Sequence, residues 1–206
     1  YTVNQVDSAA PQIVQHPSFR HPHPIKYVFY NNKKVIIVDS EGNIYAITPQ
    51  RTRFIKNLKT LINESGEIGS IIFDSEDLLI AFKTIGLIHL DAAKNYAPEK
   101  IEINCGVFSL WKDEQQDIVW IGTDGQGVYA WTKDEYTFNN LSLNQLPINK
   151  RRPIRAIYAD PQNTLWLGTK DNGIIRIENY DKAKVYSAAN VTHFTTQEGL
   201  TNNAVF

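Results

Sequence analysis

The sequence predicts an all-β fold, a β-propeller made of four-stranded antiparallel blades of about 40–46 residues. Two observations carry this. The stretch Val119-Trp120-Ile121-Gly122-Thr123-Asp124-Gly125-Gln126-Gly127-Val128-Tyr129 returns as Leu165-Trp166-Leu167-Gly168-Thr169-Lys170-Asp171-Asn172-Gly173-Ile174-Ile175, so that Trp120 and Trp166, Gly122 and Gly168, and Gly127 and Gly173 share one spacing. An apolar run with tryptophan, a Gly-Thr stop, a short polar loop and a glycine restart describes two antiparallel strands joined by a hairpin. Each copy also follows an alternating segment, Val107 to Trp111 or Ile154 to Tyr158, which supplies a first strand.

In chain order, residues 1–24 are polar and rich in proline, with only Gln12-Ile13-Val14 resembling a strand. They form either the outer strand of a preceding blade or an unstructured lead-in. Residues 25–67 are a degenerate blade. Ile25 to Tyr30 is its first strand, Lys34 to Val38 its second with Ile37 in the place of Trp120, and Asn43 to Ile47 its third. Residues 68–106 are a second degenerate blade, with Ile68 to Phe73, Leu78 to Phe82 and Gly86 to Leu90 as strands and Ile80 as the tryptophan equivalent.

Residues 107–153 and 154–198 are the two blades with the full motif. Asp113 to Asp117 and Asp160 to Asn163 supply their first hairpins through Asx and proline turn chemistry. Tyr136-Thr137-Phe138 and Ala183-Lys184-Val185-Tyr186 are the expected outer strands. The glycine closing each loop, Gly127 or Gly173, suits a positive φ that a Cβ disfavours. Residues 199–206 read as the start of another blade. Closing a ring takes about 4–8 blades. The four units are therefore expected to form an arc of a larger, seven-bladed propeller, with a closed four-blade ring as the alternative.

Composition narrows function by exclusion. An apolar fraction of 42% and a charged fraction of 21% are those of an ordinary globular chain. Lys and Arg number 21 against 22 acidic residues, so no global field recruits nucleic acid. The single cysteine, Cys105, excludes an internal disulfide framework and is expected to be a small buried hydrophobe. No apolar run approaches the roughly 18 residues of a membrane span. The chain starts at Tyr1 and contains no methionine, which marks it as a processed product or an excised fragment.

The second-to-third strand loops and the loops between blades share one face. That face gathers Asp124, Gly125 and Gln126 with Lys170, Asp171 and Asn172, joined by Lys150, Arg151 and Arg152 and by Asn202 and Asn203. Amides, carboxylates and cations beside aromatic rings suit a polyhydroxylated ligand. Asp124, Gln126, Lys150, Arg151, Arg152, Lys170, Asp171 and Asn172 are the candidate ligand-binding residues, against the plainer reading that they are solvated loop tips. Trp111, Trp120 and Trp166 belong to the core between blades by their strand positions, and Trp131 is undecided. His16, His21 and His23 cluster locally, but interleaved prolines argue against a metal site, and none is assigned.

No cofactor site and no catalytic constellation emerge: there is no Gly-x-Ser-x-Gly, phosphate loop or His-Glu-x-x-His. The Asp160–Trp166 turn also departs from the Asp-box of sialidase propellers, with Gln162 and Leu165 at its glycine and aromatic positions.

The segment from Ile157 through Trp166-Leu167-Gly168-Thr169 and Gly173-Ile174, then His193-Phe194 and Gly199 to Phe206, is similar to the two-component regulator propeller repeat, as is Val107 to Val128. Such repeats form the sensor region of hybrid two-component regulators of Bacteroides-type bacteria. The resemblance implies a periplasmic, non-enzymatic segment of an inner-membrane parent that carries further blades, a sandwich domain and a histidine kinase. It also implies a homodimer and an oligosaccharide ligand that controls carbohydrate-utilisation genes. Binding residues form no fixed motif in these repeats, so none follows from the resemblance. The alternatives from other classes are a propeller lyase or hydrolase acting on glycans and a non-catalytic protein-interaction propeller.

Overall fold

The computed structural model describes residues 2–4, 12–14, 21–31, 34–61, 66–132, 137–140, 152–180 and 191–206, in two compact units, Tyr1–Asn63 and Glu64–Phe206. The described residues are all-β, and the four blades are antiparallel meanders of four strands.

In the first unit, β1 (Thr2–Asn4) pairs with β2 (Gln12–Val14), so the expected strand is present with a partner the sequence did not announce. The blade that follows consists of β3 (Ile25–Asn31), β4 (Lys34–Asp39), β5 (Asn43–Ile47) and β6 (Thr52–Asn57). Asp39, fully buried, fixes the turn between β4 and β5 by accepting from the N–H groups of Glu41 and Asn43 at 2.9 and 2.8 Å. His21 Nε2 lies 3.0 Å from the other carboxylate oxygen. Burial opposes ionisation of Asp39, but the hydrogen bonds from Asn43, His21 and Glu41 outweigh it and hold the carboxyl below its ordinary pKa. His21 thus serves the hairpin, while His16 lies outside the described residues.

The second unit holds three blades. They are β7 (Ile68–Asp74) to β10 (Ala97–Ile101), with β8 (Asp77–Phe82) and β9 (Gly86–Asp91) between; β11 (Val107–Asp113), β12 (Ile118–Thr123), β13 (Val128–Thr132) and β14 (Thr137–Asn140); and β15 (Ile154–Ala159), β16 (Thr164–Thr169), β17 (Ile174–Glu178) and β18 (Val191–Phe194). The outer strand expected at 183–186 lies outside the described residues, and β18 pairs with β17 instead. Pro98 in β10 is tolerated because β10 is an edge strand, where one missing N–H costs no ladder bond.

The core of this unit lies between blades. Trp120, Leu165, Leu167 and Tyr180 form one cluster, joining the last two blades. Leu79, Leu87, Ile121 and Trp131 form another, joining the first two. Full burial of each such side chain is worth roughly 1.5–3 kcal/mol, so a blade is stabilised by its neighbours. Trp131, 1% exposed, is therefore core. Cys105 packs against the same cluster, half-buried, and burial pushes its thiol pKa up.

The register corrects one expectation. Trp120 faces Trp111 and Trp166 faces Tyr158 across the first hairpin; the matching positions are Ile36, opposite Phe29, and Leu79, opposite Ile72. They precede the expected Ile37 and Ile80 by one residue. In β8 all six residues are buried, so no alternation marks the phase.

Two features recur in every blade. The inner strand carries a register shift at its start, between Ile25 and Tyr27, Ile68 and Ser70, Val107 and Ser109, and Ile154 and Ala156. The bulged residues are Lys26, Gly69, Phe108 and Arg155. The N–H of the residue following the second strand then bonds the carbonyl just before that bulge: Ser40 to Pro24, Lys83 to Glu67, Asp124 to Gly106 and Lys170 to Pro153, at 2.8–2.9 Å. These bonds tie the hairpin loop to the incoming chain, which creates the shared face.

Candidate functional site

The expected loop face of the second unit exists, and its loops are built alike. Thr123 Oγ1 donates to Gly127 O at 2.8 Å and accepts from Gln126 N at 3.1 Å; Thr169 repeats this with Gly173 O and Asn172 N at 2.9 and 3.0 Å. Gly125 and Asp171 both adopt positive φ, 81° and 68°, as do Gly127 and Gly173. The threonine of the Gly-Thr pair is therefore a loop clamp.

Several candidate side chains are occupied by the loop itself. Gln126 Oε1 accepts from the Tyr129 hydroxyl at 3.0 Å. Arg152 Nη1 lies 3.3 Å from Asp171 Oδ2, an exposed pair worth little energetically. Asn172 Nδ2 lies 3.4 Å from His193 Nε2, and its backbone carbonyl lies 2.6 Å from the same nitrogen. Asp124 and Lys170 are exposed at equivalent positions of neighbouring blades. Lys150 and Arg151 lie outside the described residues. Of the terminal asparagines, Asn203 O accepts from Gly173 N at 2.7 Å, and Asn202 Oδ1 accepts from Ala204 N at 2.8 Å.

The inner edge of the same face holds residues that the sequence reading missed. The Arg155 guanidinium stands over the Phe108 ring at 4.0 Å and within 5.9 Å of the Phe206 ring. Lys83 Nζ lies 5.8 Å from the Phe108 centroid and pairs with Glu67. Phe108 and Arg155 are the bulged residues of successive blades. A signal did exist: Phe108 and Arg155 each follow the aliphatic residue, Val107 or Ile154, that opens an inner strand, and Phe206 follows Val205 in the same pattern.

The opposite end of the blades carries a cleft of about 250 Å³, flanked by Trp111 and Tyr158 in edge-to-face contact at 5.0 Å. Its carboxylates are engaged. Asp113 accepts from Gln115 N, Gln116 N, Trp120 Nε1 and the Tyr180 hydroxyl. Asp160 accepts from Gln162 N, Thr164 N and Trp166 Nε1 at 2.9–3.0 Å. The indole N–H of the repeated tryptophan ties down the Asp turn in both blades, but only Trp120 also fills the core; Trp166, expected in the core, is half-buried and belongs to neither cluster. Desolvation raises the Asp160 pKa, but the bonds from Trp166, Thr164 and Gln162 outweigh it and leave the carboxyl below its ordinary value.

These sheets and loops define a segment of a β-propeller. The two component regulator propeller family model matches residues 150–171, which cover the start of the last blade and its first hairpin. Among solved structures, the extracellular domain of BT4673 of B. thetaiotaomicron, named a hybrid two component system, superposes with TM-score 0.64 at 18% identity, covering 92% of this chain and 25% of that one. The corresponding domain of BT3049, also named a hybrid two component system of B. thetaiotaomicron, gives 0.61 at 20% identity over 88% and 23%. YCF48 from Cyanidioschyzon merolae gives 0.54 at 11% identity over 90% and 62%. The chain spans about a quarter of the length of the two Bacteroides domains. No curated protein sequence matches it. No described helix is long and apolar enough to cross a membrane.

Proposed function

We propose that this chain is part of the extracytoplasmic ligand-sensing propeller of a hybrid two-component regulator, and that it does no chemistry itself. The observation that carries the reading is the two component regulator propeller match on a blade whose fold is shared with extracellular domains of hybrid two component systems. The ligand is an oligosaccharide released from a complex glycan, held at the loop face, and its binding controls carbohydrate-utilisation genes through a kinase elsewhere in a periplasm-facing, dimeric parent. The mixture of exposed Asp124, Lys170 and Arg152 with Phe108 at the inner edge supports a polyhydroxylated ligand. Signalling then requires that the ligand bind one arrangement of the parent more tightly than the other.

Calorimetric titration of the complete extracytoplasmic region with size-fractionated oligosaccharides tests this, with chromatography of the sugar afterwards. Saturable micromolar binding of one class with the sugar intact is expected. Cleavage would transfer the protein to the glycan-acting enzymes, and silence across the panel would remove the saccharide reading.

A further inference from the structure

The second unit contains two arginines that each lie against a pair of aromatic rings, and they differ in how their charge is met. Arg176 lies 5.8 Å from the Trp166 centroid and 5.6 Å from that of Phe194. Its charge is met by Glu178 Oε1 at 3.5 Å, and Thr192 Oγ1 adds a hydrogen bond at 3.3 Å. Arg155 stands over the Phe108 ring at 4.0 Å and lies 5.9 Å from that of Phe206. The Nε of both arginines is buried without a partner, but among the described residues no carboxylate and no hydrogen-bond acceptor meets Arg155 at all. Arg155 is half-buried, and a buried N–H with no acceptor is costly, which a ring stacked on the guanidinium offsets only in part.

We infer that Arg155 is a receptor for an oxyanion carried by the ligand, a carboxylate or sulfate group on an oligosaccharide. Stacking on Phe108 fixes the guanidinium plane and leaves its outer Nη edge as the donor pair. That edge matches the two oxygens of a carboxylate or sulfate in a bidentate contact. Lys83, 5.8 Å from the Phe108 centroid, adds positive potential, although its own charge is paired with Glu67. Phe206, 82% exposed, then offers its ring to the apolar face of the neighbouring sugar. This inference rests on the sensor reading above and names the chemistry its ligand carries.

The experiment titrates the complete extracytoplasmic region with oligogalacturonides, their methyl esters, a sulfated chondroitin oligosaccharide and a neutral cello-oligosaccharide of matched length. Arg155→Gln, Arg155→Lys and the control Lys59→Gln are measured alongside, with thermal unfolding of each. An anionic oligosaccharide binds, and the arm that responds distinguishes carboxylate from sulfate. Loss of its charge-assisted contact in Arg155→Gln weakens binding roughly 10- to 100-fold, with Arg155→Lys between and Lys59→Gln unchanged. If Arg155→Gln fails to fold, the methyl-ester comparison on the unaltered protein decides. Equal binding of neutral and acidic sugars, or unaltered affinity in a folded Arg155→Gln, overturns the inference and leaves the sensor reading standing. Silence toward every saccharide overturns both.

Discussion

Tyr180 donates its phenolic hydrogen bond to Asp113, a residue 67 positions earlier in the turn of the preceding blade. The Tyr180 ring meets Trp120 edge-on at 5.5 Å, and its carbonyl accepts from Gln116 Nε2 and Asn163 Nδ2 at 3.1 and 2.8 Å. One residue thereby joins the first hairpins of two blades. Tyr180→Phe would leave a buried carboxylate oxygen short of a donor, at a cost of about 1–3 kcal/mol, measurable by denaturant unfolding.

The same contact predicts an alkaline limit. Burial and the neighbouring Asp113 carboxylate push the Tyr180 pKa far above the ordinary value. A raised folded-state pKa contributes stability that is fully present below the unfolded tyrosine's value of about 10 and is lost as pH rises beyond it. Unfolding free energy should therefore fall above about pH 10, and part of that fall should be missing in Tyr180→Phe, which a pH series of melts would show.

Asp160 predicts the acid limit by the opposite sign. Its folded pKa is depressed, so its contribution is present above the unfolded aspartate value of about 3.9 and is lost as pH falls through the lower folded value. Asp160→Asn should lower stability at neutral pH and flatten the acid limb of the stability profile. A mutant whose acid limb matches that of the unaltered chain would contradict the role given to the bonds from Trp166, Thr164 and Gln162.

Lys112 sits almost wholly buried between blades, with Nζ 2.8 Å from Asp74 Oδ1 and a second pairing to Asp117. In the blade of Asp74, Leu79 stands where Trp120 and Trp166 stand, so no indole N–H is available there, and the lysine of the next blade takes over. Lys112→Met would strand the buried Asp74 carboxylate and cost about 3–5 kcal/mol, whereas Lys112→Met combined with Asp74→Asn should recover part of that loss in thermal melts.

Gly173 predicts a change that both strains and overpacks the backbone. Its φ is 73°, and a Cβ there would stand 2.0 Å from the backbone oxygen of Phe194. Gly173→Ala therefore adds strain to overpacking against main chain that cannot rotate away, for a loss of at least about 1–3 kcal/mol in equilibrium unfolding.

How much was legible followed from which residues vary with position. The Trp, Gly-Thr and closing Gly marked the last two blades because each has a separate physical duty: the indole binds the Asp turn, Thr169 clamps the loop, and Gly168 admits Val205, whose Cγ1 would stand 2.9 Å from an added Cβ. In β8, where Ala81 and Phe82 take the places of the glycine and threonine, no such marks remain and the phase slipped by one residue. The outer strands β6 and β10 were passed over because Thr52–Asn57 and Ala97–Ile101 are half polar at an exposed edge. The loop face was readable from the order of strands alone. The residues at its inner edge were harder to read, since the bulged position differs in type from blade to blade and Arg155 looks like the polar member of an alternating strand.

The most direct measurement of the central claim is hydrogen–deuterium exchange of the complete extracytoplasmic region, with and without a saturating, uncleaved oligosaccharide. Ligand binding at the loop face predicts protection at 104–109, 123–127, 152–156 and 169–173, with the Asp113 and Asp160 turns unchanged. Protection confined to those two turns, beside the Trp111–Tyr158 cleft, would contradict it and move the ligand to the opposite end of the blades.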